Sequence, residues 1–160
     1  MKVLLTGGTG QVGQEILTSK PQDTQIISPS SNKLDLSDYK ACKKIVLDLN
    51  PDWIINCGAY TSVDKAEKDI ELSSKINSLA PKAFAEALNE INGNLLQLST
   101  DYVFNGEQNF PYEVHQEKNP ISQYGKSKAL GEELIEKNIN DIRNATILRT
   151  SWVISPRGKN

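Results

Sequence analysis

The sequence predicts a doubly wound α/β fold built on a parallel sheet, and three observations carry that prediction. Short β-rich runs alternate with longer segments of helical periodicity from one end of the chain to the other. A glycine loop, Gly7-Gly8-Thr9-Gly10-Gln11-Val12-Gly13, follows the first run directly. No repeat, low-complexity tract or linker divides the 160 residues. One domain of that length buries roughly 70% of the surface its unfolded chain exposes, enough for a real core.

Each element has its own signal. Val3-Leu4-Leu5 is the first strand, and the helix after it starts near Gln11 and turns Val12, Ile16 and Leu17 inward. Gln25-Ile26-Ile27-Ser28 is the second strand, stopped by the loop Pro29-Ser30-Ser31-Asn32. Ser37 offers an N-cap hydroxyl to a helix whose inward face is Ile45, Val46 and Leu49. Trp53-Ile54-Ile55-Asn56 is the third strand, entered through Pro51-Asp52. A long helical stretch from about Val63 to Ile91 follows, with Ala66, Ile70, Ile76, Leu79, Phe84 and Leu88 as its apolar face. Pro81 inside it predicts a kink or break. Leu95-Leu96-Gln97-Leu98-Ser99 is the fourth strand, residues 105–119 a polar loop, Ser122 to Asn138 a helix, and Ala145 to Leu148 the fifth strand. The order β-α-β-α-β-α-β-α-β makes one domain, with right-handed crossovers between parallel strands.

Composition narrows the function. The 18 basic and 20 acidic residues give a formal charge of −2, which removes the electrostatic footprint of a nucleic-acid or polybasic membrane binder. Cys42 and Cys57 make neither a disulfide framework nor a CxxC metal spacing, which suits a reducing cytosol. The single histidine, His115, sits in the polar loop with Glu113 and Glu117 and reads as solvated, so no metal site is predicted. The N-terminal run reaches glycine too soon for a signal peptide, and no stretch of about 18 apolar residues exists to span a membrane. A cytoplasmic protein without membrane or nucleic-acid partners is expected.

The glycine loop carries the first chemistry. Gly7, Gly10 and Gly13 fall three apart at the mouth of a βαβ unit. That spacing permits a tight turn, close approach of backbone to a pyrophosphate, and a helix start packed hard on the sheet. The amides and dipole of the helix N-terminus then meet the phosphate charge. A Rossmann-like NAD(P)-binding domain is therefore expected over residues 1–160. The tip of the second strand, Ser28 to Lys33, holds hydroxyls and a lysine but no acid. It leans toward the 2′-phosphate of NADPH; Asp35, a little further on, can still contact adenosine, so NADH stays open.

Tyr124-Gly125-Lys126-Ser127-Lys128 opens the last long helix, and the i,i+4 spacing puts Tyr124 and Lys128 on one face. A free tyrosine, with a pKa of about 10, exchanges protons poorly near neutrality. A nearby ammonium favours the phenolate and is expected to lower that value. So tuned, Tyr124 can exchange a proton with a carbonyl oxygen while hydride moves to the same carbon. Ser99-Thr100 lies at the carboxyl end of the fourth strand, where open α/β sheets place ligands, and a hydroxyl there can bond the substrate oxygen.

Glycine loop, Ser/Thr and YxxxK, in that order, resemble the extended short-chain dehydrogenase/reductase superfamily. Within it, the chain is similar to the dTDP-4-dehydrorhamnose reductase family. The matching stretches are Gly7 to Gly13, Pro51 to Asn56, Ala59 to Glu67, Ser99 to Phe104, Tyr124 to Lys128 with Gly131-Glu132, and Arg149 to Val153. The resemblance implies Thr100, Tyr124 and Lys128 as the catalytic set, and Asp101 and Trp152 beside the sugar nucleotide. It implies Gly7, Gly10, Gln11, Val12, Gly13, Asp35, Leu36, Ala59, Tyr60, Thr61, Tyr124 and Lys128 around the dinucleotide. The implied reaction is reduction of the C4 ketone of a dTDP-4-dehydro-L-rhamnose by NADPH or NADH. Family members can form homodimers that use Mg²⁺, with a glutamate at the place of Glu15. The partner carboxylates have no counterpart in this sequence, so Glu15 reads as a surface residue.

Two departures from the family pattern matter. Cys57-Gly58 stands where the family often has two alanines, and both pairs are small. The sequence also stops where the family continues into a smaller sugar-nucleotide domain, so the cofactor-binding half is expected here and the other domain absent. Asp101 is followed by Tyr102 rather than the glutamate of a sugar-nucleotide dehydratase, which argues against elimination. A nucleotide-sugar 4-epimerase, or a non-catalytic dinucleotide-binding subunit or fragment, remains as an alternative.

Overall fold

A computed structural model describes residues 1–156. Strands β1 (Lys2–Thr6), β2 (Gln25–Ile27), β3 (Trp53–Asn56), β4 (Asn94–Thr100) and β5 (Ala145–Thr150) pair in parallel in the order β2-β1-β3-β4-β5. Strand order reverses between β1 and β3, so the crevice at the carboxyl ends of these two is where such a sheet takes ligands. The doubly wound prediction holds, and β1, β4 and β5 each run further than predicted.

Leu4, Val46, Ile54, Phe84, Leu88, Leu95 and Ile135 form the core where helices α2 (Tyr39–Leu49), α5 (Ala80–Ile91) and α6 (Gln123–Asn138) pack on one sheet face. Burial of these side chains supplies the main driving force for folding. The opposite face is more open over β4 and β5: Leu96 and Leu98 are half-buried and Leu148 is exposed.

Three local expectations are corrected. In α1 (Gln11–Ser19), Val12 and Ile16 are half-buried, but Leu17 is exposed and lines the cleft described below. The cap of α2 is Asp38, whose carboxylate accepts the Ala41 amide at 3.0 Å; Ser37 instead gives its amide to Asp35 at 2.8 Å. Both are good capping residues, and the chain enters the helix one residue later than predicted.

The third correction concerns the stretch from Val63 to Ile91. It divides into α3 (Val63–Ala66), α4 (Ile70–Ser74), a π-helical turn (Lys75–Leu79) and α5. Pro81 sits at the start of α5, where its missing amide costs no helical bond, and the irregularity falls just before it, with the Ala80 amide reaching back to Lys75 O. That π turn shifts the inward face. Ile70 and Leu79 are exposed, while Ser73, Asn77, Ser78 and Ala80 are buried. The buried polar groups are satisfied: Ser78 donates to Ser127 O at 2.7 Å, and Asn77 bonds Tyr60 and Ser127. Gly131 lets α6 lie against this turn, since a Cβ there would stand 2.2 Å from Asn77 O.

Candidate active site

The glycine loop forms because its geometry excludes side chains. Gly7 has φ +67°, and a Cβ on it would stand 2.6 Å from the Cys57 carbonyl carbon. The Gly10 amide closes the turn on Gly7 O at 3.0 Å, and a Cβ on Gly13 would lie 2.3 Å from that same oxygen. Gly13 therefore sets how closely α1 packs on the loop. Gln11 and Val12 occupy the first turn of α1 behind it, with Gln11 Oε1 accepting the Ser155 amide at 2.8 Å.

A cleft of about 500 Å³ opens over this loop, at the topological switch point. Of the residues named for the dinucleotide, Gly7, Gly10, Asp35, Leu36, Ala59 and Thr61 line it, with Thr6, Gly8, Thr9, Cys57 and Gly58. Ser28, Pro29, Ser30 and Ser31 line it from the β2 tip, whereas Lys33 is not among its lining residues. Two hydrogen bonds from Ser37 hold the Asp35 carboxyl below its usual value. Tyr60 turns away from the cleft: its hydroxyl donates to Asp69 Oδ2 at 2.6 Å, and Asn77 holds its backbone. The cleft is of ligand-binding size and Cβ atoms would fill its cradle, so these residues fit a dinucleotide.

Beside it lies a second hollow of about 250 Å³, lined by Thr61, Ser99, Thr100, Asp101, Tyr102, Tyr124 and Trp152 among others. Thr61 lines both cavities. The hollow thus joins the predicted tyrosine, threonine, aspartate and tryptophan. The Thr100 hydroxyl donates to Asp101 Oδ1 at 3.0 Å, and Ser151 Oγ donates to Asp101 Oδ2 at 2.8 Å. Trp152 is 89% exposed and holds a left-handed backbone, φ 49°. Ser122 caps α6 by accepting the Gly125 amide at 3.0 Å, so Tyr124 stands in the first turn, edge-on to Tyr102.

Lys128 lies beneath the hollow, 5% exposed, and its ammonium donates to Leu98 O at 2.6 Å. Burial pulls its pKa down to about 8, against the pull of Glu132 and Cys57. The expected effect on the tyrosine is reversed: burial pushes the Tyr124 hydroxyl up, with Asp101 and Tyr102 adding to the rise and Thr100 hydrogen bonding opposing it. One bond to Leu98 leaves the ammonium its other donors; burial sets the direction, so Tyr124 stays a protonated hydroxyl at neutral pH.

Sequence reasoning missed a buried polar chain under both cavities. Thr6 Oγ1 donates to Asn56 Oδ1, Asn56 Nδ2 to Gln97 Oε1 at 2.7 Å, and Gln97 Nε2 to Leu98 O at 2.7 Å. The chain joins the ends of β1, β3 and β4 and finishes on the carbonyl that receives Lys128. Polar residues interrupting apolar strands at 6, 56 and 97 were its signal. Among the described residues no cluster of His, Cys, Asp and Glu could hold a metal. Glu15 is half-buried rather than a free surface residue, with Oε1 accepting from Ser155 Oγ at 2.7 Å.

The model of the RmlD substrate binding domain family matches residues 1–160. The chain belongs to this family. It is 37% identical over 160 residues to the dTDP-4-dehydrorhamnose reductase of Burkholderia thailandensis, covering all of this chain and 53% of that protein. A dTDP-4-dehydrorhamnose reductase structure from Clostridium acetobutylicum superposes with a TM-score of 0.93 at 37% identity, over 100% of this chain and 56% of that one. The Bacillus anthracis dTDP-4-dehydrorhamnose reductase, solved in complex with NADP, gives a TM-score of 0.92 at 33% identity over 99% and 56%. The RmlD-family chain described here spans about half the length of the curated relatives it matches.

Proposed function

We propose that residues 1–160 are the dinucleotide-binding and proton-transfer part of an NAD(P)H-dependent oxidoreductase that reduces the C4 ketone of dTDP-4-dehydro-L-rhamnose. The observation that carries this is the hollow joining Thr100 and Tyr124 above Lys128, sharing Thr61 with the glycine-loop cleft. The names of the relatives and the NADP bound to one of them support the substrate and cofactor class.

The loop amides at Gly7 to Gly13 receive the pyrophosphate, and Asp35 and Leu36 flank the adenosine. The dinucleotide, when bound, supplies the hydride. Tyr124 gives its proton to the ketone oxygen, which Thr100 orients by a hydrogen bond. A tyrosine whose pKa is raised stays protonated at neutral pH, which suits a donor. Lys128 holds the nicotinamide ribose and balances the phenolate left behind. Asp101 and Trp152 meet the sugar. The hydroxyls of Ser28, Ser30 and Ser31 favour the 2′-phosphate, hence NADPH over NADH.

The test is oxidation of NADPH in the presence of the 4-dehydro sugar nucleotide by the full-length protein. Steady, substrate-dependent consumption is expected. Retention of tightly bound cofactor with no net consumption supports the epimerase instead, and a clear preference for NADH defeats the cofactor assignment.

A further inference from the structure

Glu132 lies one helical turn after Lys128 in α6 and is 1% exposed. Nothing in the proposed reaction uses it, yet its buried carboxylate accepts bonds from Ser99 and Arg149 and pairs with Lys118. Ser99 Oγ donates to Oε1 at 2.5 Å. Arg149 grips both oxygens, Nε to Oε1 at 3.0 Å and Nη2 to Oε2 at 2.7 Å, and Lys118 Nζ lies 3.4 Å from Oε2. Burial pushes this carboxyl up, but the bonds from Arg149 and Ser99 and the charges of Arg149 and Lys118 outweigh it, so the group is ionised. The bonds reach three separate parts of the fold: the end of β4, the end of β5 and the 105–119 loop, to which Arg149 also donates at Val114 O.

We propose that Glu132 is a positioning residue that clamps α6, and with it Tyr124 and Lys128, to the carboxyl ends of β4 and β5, and so sets a carboxylate one helical turn from Lys128. Ser99 immediately precedes Thr100, and Leu98, which receives Lys128, immediately precedes Ser99. The clamp and the Lys128 contact therefore bind consecutive turns of one helix to consecutive residues of one strand, and fix where Tyr124 stands relative to Thr100.

Glu132 stands on the same helix as Lys128, the Cys57 thiol faces Lys128 from the end of β3, and β4 offers only the neutral Leu98 carbonyl. Arg149 and Lys118 sit on Glu132. With burial working against the ammonium, Glu132 is the strongest charge retaining it.

The proposal rests on the oxidoreductase reading only for turnover, so the main test is independent of activity. Lysine labelled with ¹³C at Cε is titrated by NMR, with Lys128 assigned from Lys128→Arg. In Glu132→Gln the Lys128 midpoint falls by about one pH unit, a roughly tenfold loss of proton affinity. In Glu132→Asp, which keeps the charge, it stays near that of the unaltered protein. Should Glu132→Gln not fold, Glu132→Gln with Arg149→Met removes the carboxylate and its bidentate partner, leaves Lys118 facing a neutral amide, and predicts a fall of the same sign but smaller. A midpoint unmoved by losing the carboxylate overturns the proposal. In the NADPH assay, Glu132→Gln lowers kcat at neutral pH by roughly tenfold to a hundredfold, as expected for a misplacement near 1 Å. An undiminished kcat also overturns it. An unaltered protein that turns nothing over defeats the functional reading, and the titration then decides the clamp alone.

Discussion

The ammonium of Lys128 donates to the backbone carbonyl of Leu98 at 2.6 Å, tying the YxxxK helix to the strand that ends in Thr100. Gln97 Nε2 reaches the same oxygen at 2.7 Å, so one carbonyl joins the helix to the polar chain that runs back through Asn56 to Thr6 beneath the glycine loop. The glycine loop and the helix that carries Tyr124 are thereby set against a common rigid frame.

That buried ammonium makes stability depend on pH. The folded-state pKa of Lys128 is about 8 against an ordinary 10.5, so between those values the unfolded chain binds more protons and folding grows more favourable as pH rises. Below pH 8 the full cost is present, about 3 kcal/mol by this shift. Lys128→Met should be more stable than the unaltered protein at pH 7, with the gap closing toward pH 10. Urea unfolding at both values checks it; a gap of equal size at both would remove the buried charge as the cause.

Catalysis should respond with the opposite sign. If Lys128 must be charged to hold the ribose, kcat/KM falls as pH rises through about 8, the value for the free protein. A pH profile flat from 7 to 9.5 contradicts this.

Tyr124→Phe removes one oxygen from a hollow that Thr100, Asp101 and Tyr102 still define. Dinucleotide affinity measured by fluorescence titration should stay within about threefold, while turnover drops by roughly 10²–10⁴. Undiminished turnover would exclude Tyr124 as the proton donor.

Gly13→Ala places a methyl 2.3 Å from Gly7 O and 2.6 Å from Gly8 Cα, both rigid backbone. The loop must shift, and the expected result is lost NADPH affinity together with a stability loss of about 1–3 kcal/mol. Tight NADPH binding by a folded Gly13→Ala protein would show that the loop does not carry the pyrophosphate.

At the start of α2, Asp38→Ala should cost about 1 kcal/mol, since the Ala41 amide loses its acceptor. Ser37→Ala should change stability by less than about 0.5 kcal/mol. Equal effects in thermal melts would restore Ser37 as the cap.

The parallel sheet, the sequence of elements and the glycine loop were legible because they rest on local patterns: β-branched runs, glycines at fixed spacing, and helices long enough to show their period. Leu17 and the face of the Val63–Ile91 stretch were not. Leu17 keeps helical spacing, but the cleft opens over its side, and the π turn before Pro81 rotates the helix so that Asn77 and Ser78 replace Leu79 on the buried face. Thr100 and Tyr124, singled out by their motifs, line one hollow with Asp101 and Trp152, which only the resemblance had named. The direction of the Tyr124 shift was not legible, because burial of the hydroxyl sets it, and spacing along a helix shows which residues share a face but not how deeply they are buried. Glu132 was visible as part of the Gly131-Glu132 match and as an acid four residues after Lys128, and neither signal shows its bonds to Ser99 and Arg149.

The most direct measurement is NADPH consumption by the full-length protein with dTDP-4-dehydro-L-rhamnose, run beside Tyr124→Phe. One NADPH oxidised per ketone reduced, with the rate collapsing in the variant, is the predicted result. No consumption by the unaltered protein, or equal rates in both, would contradict the assignment.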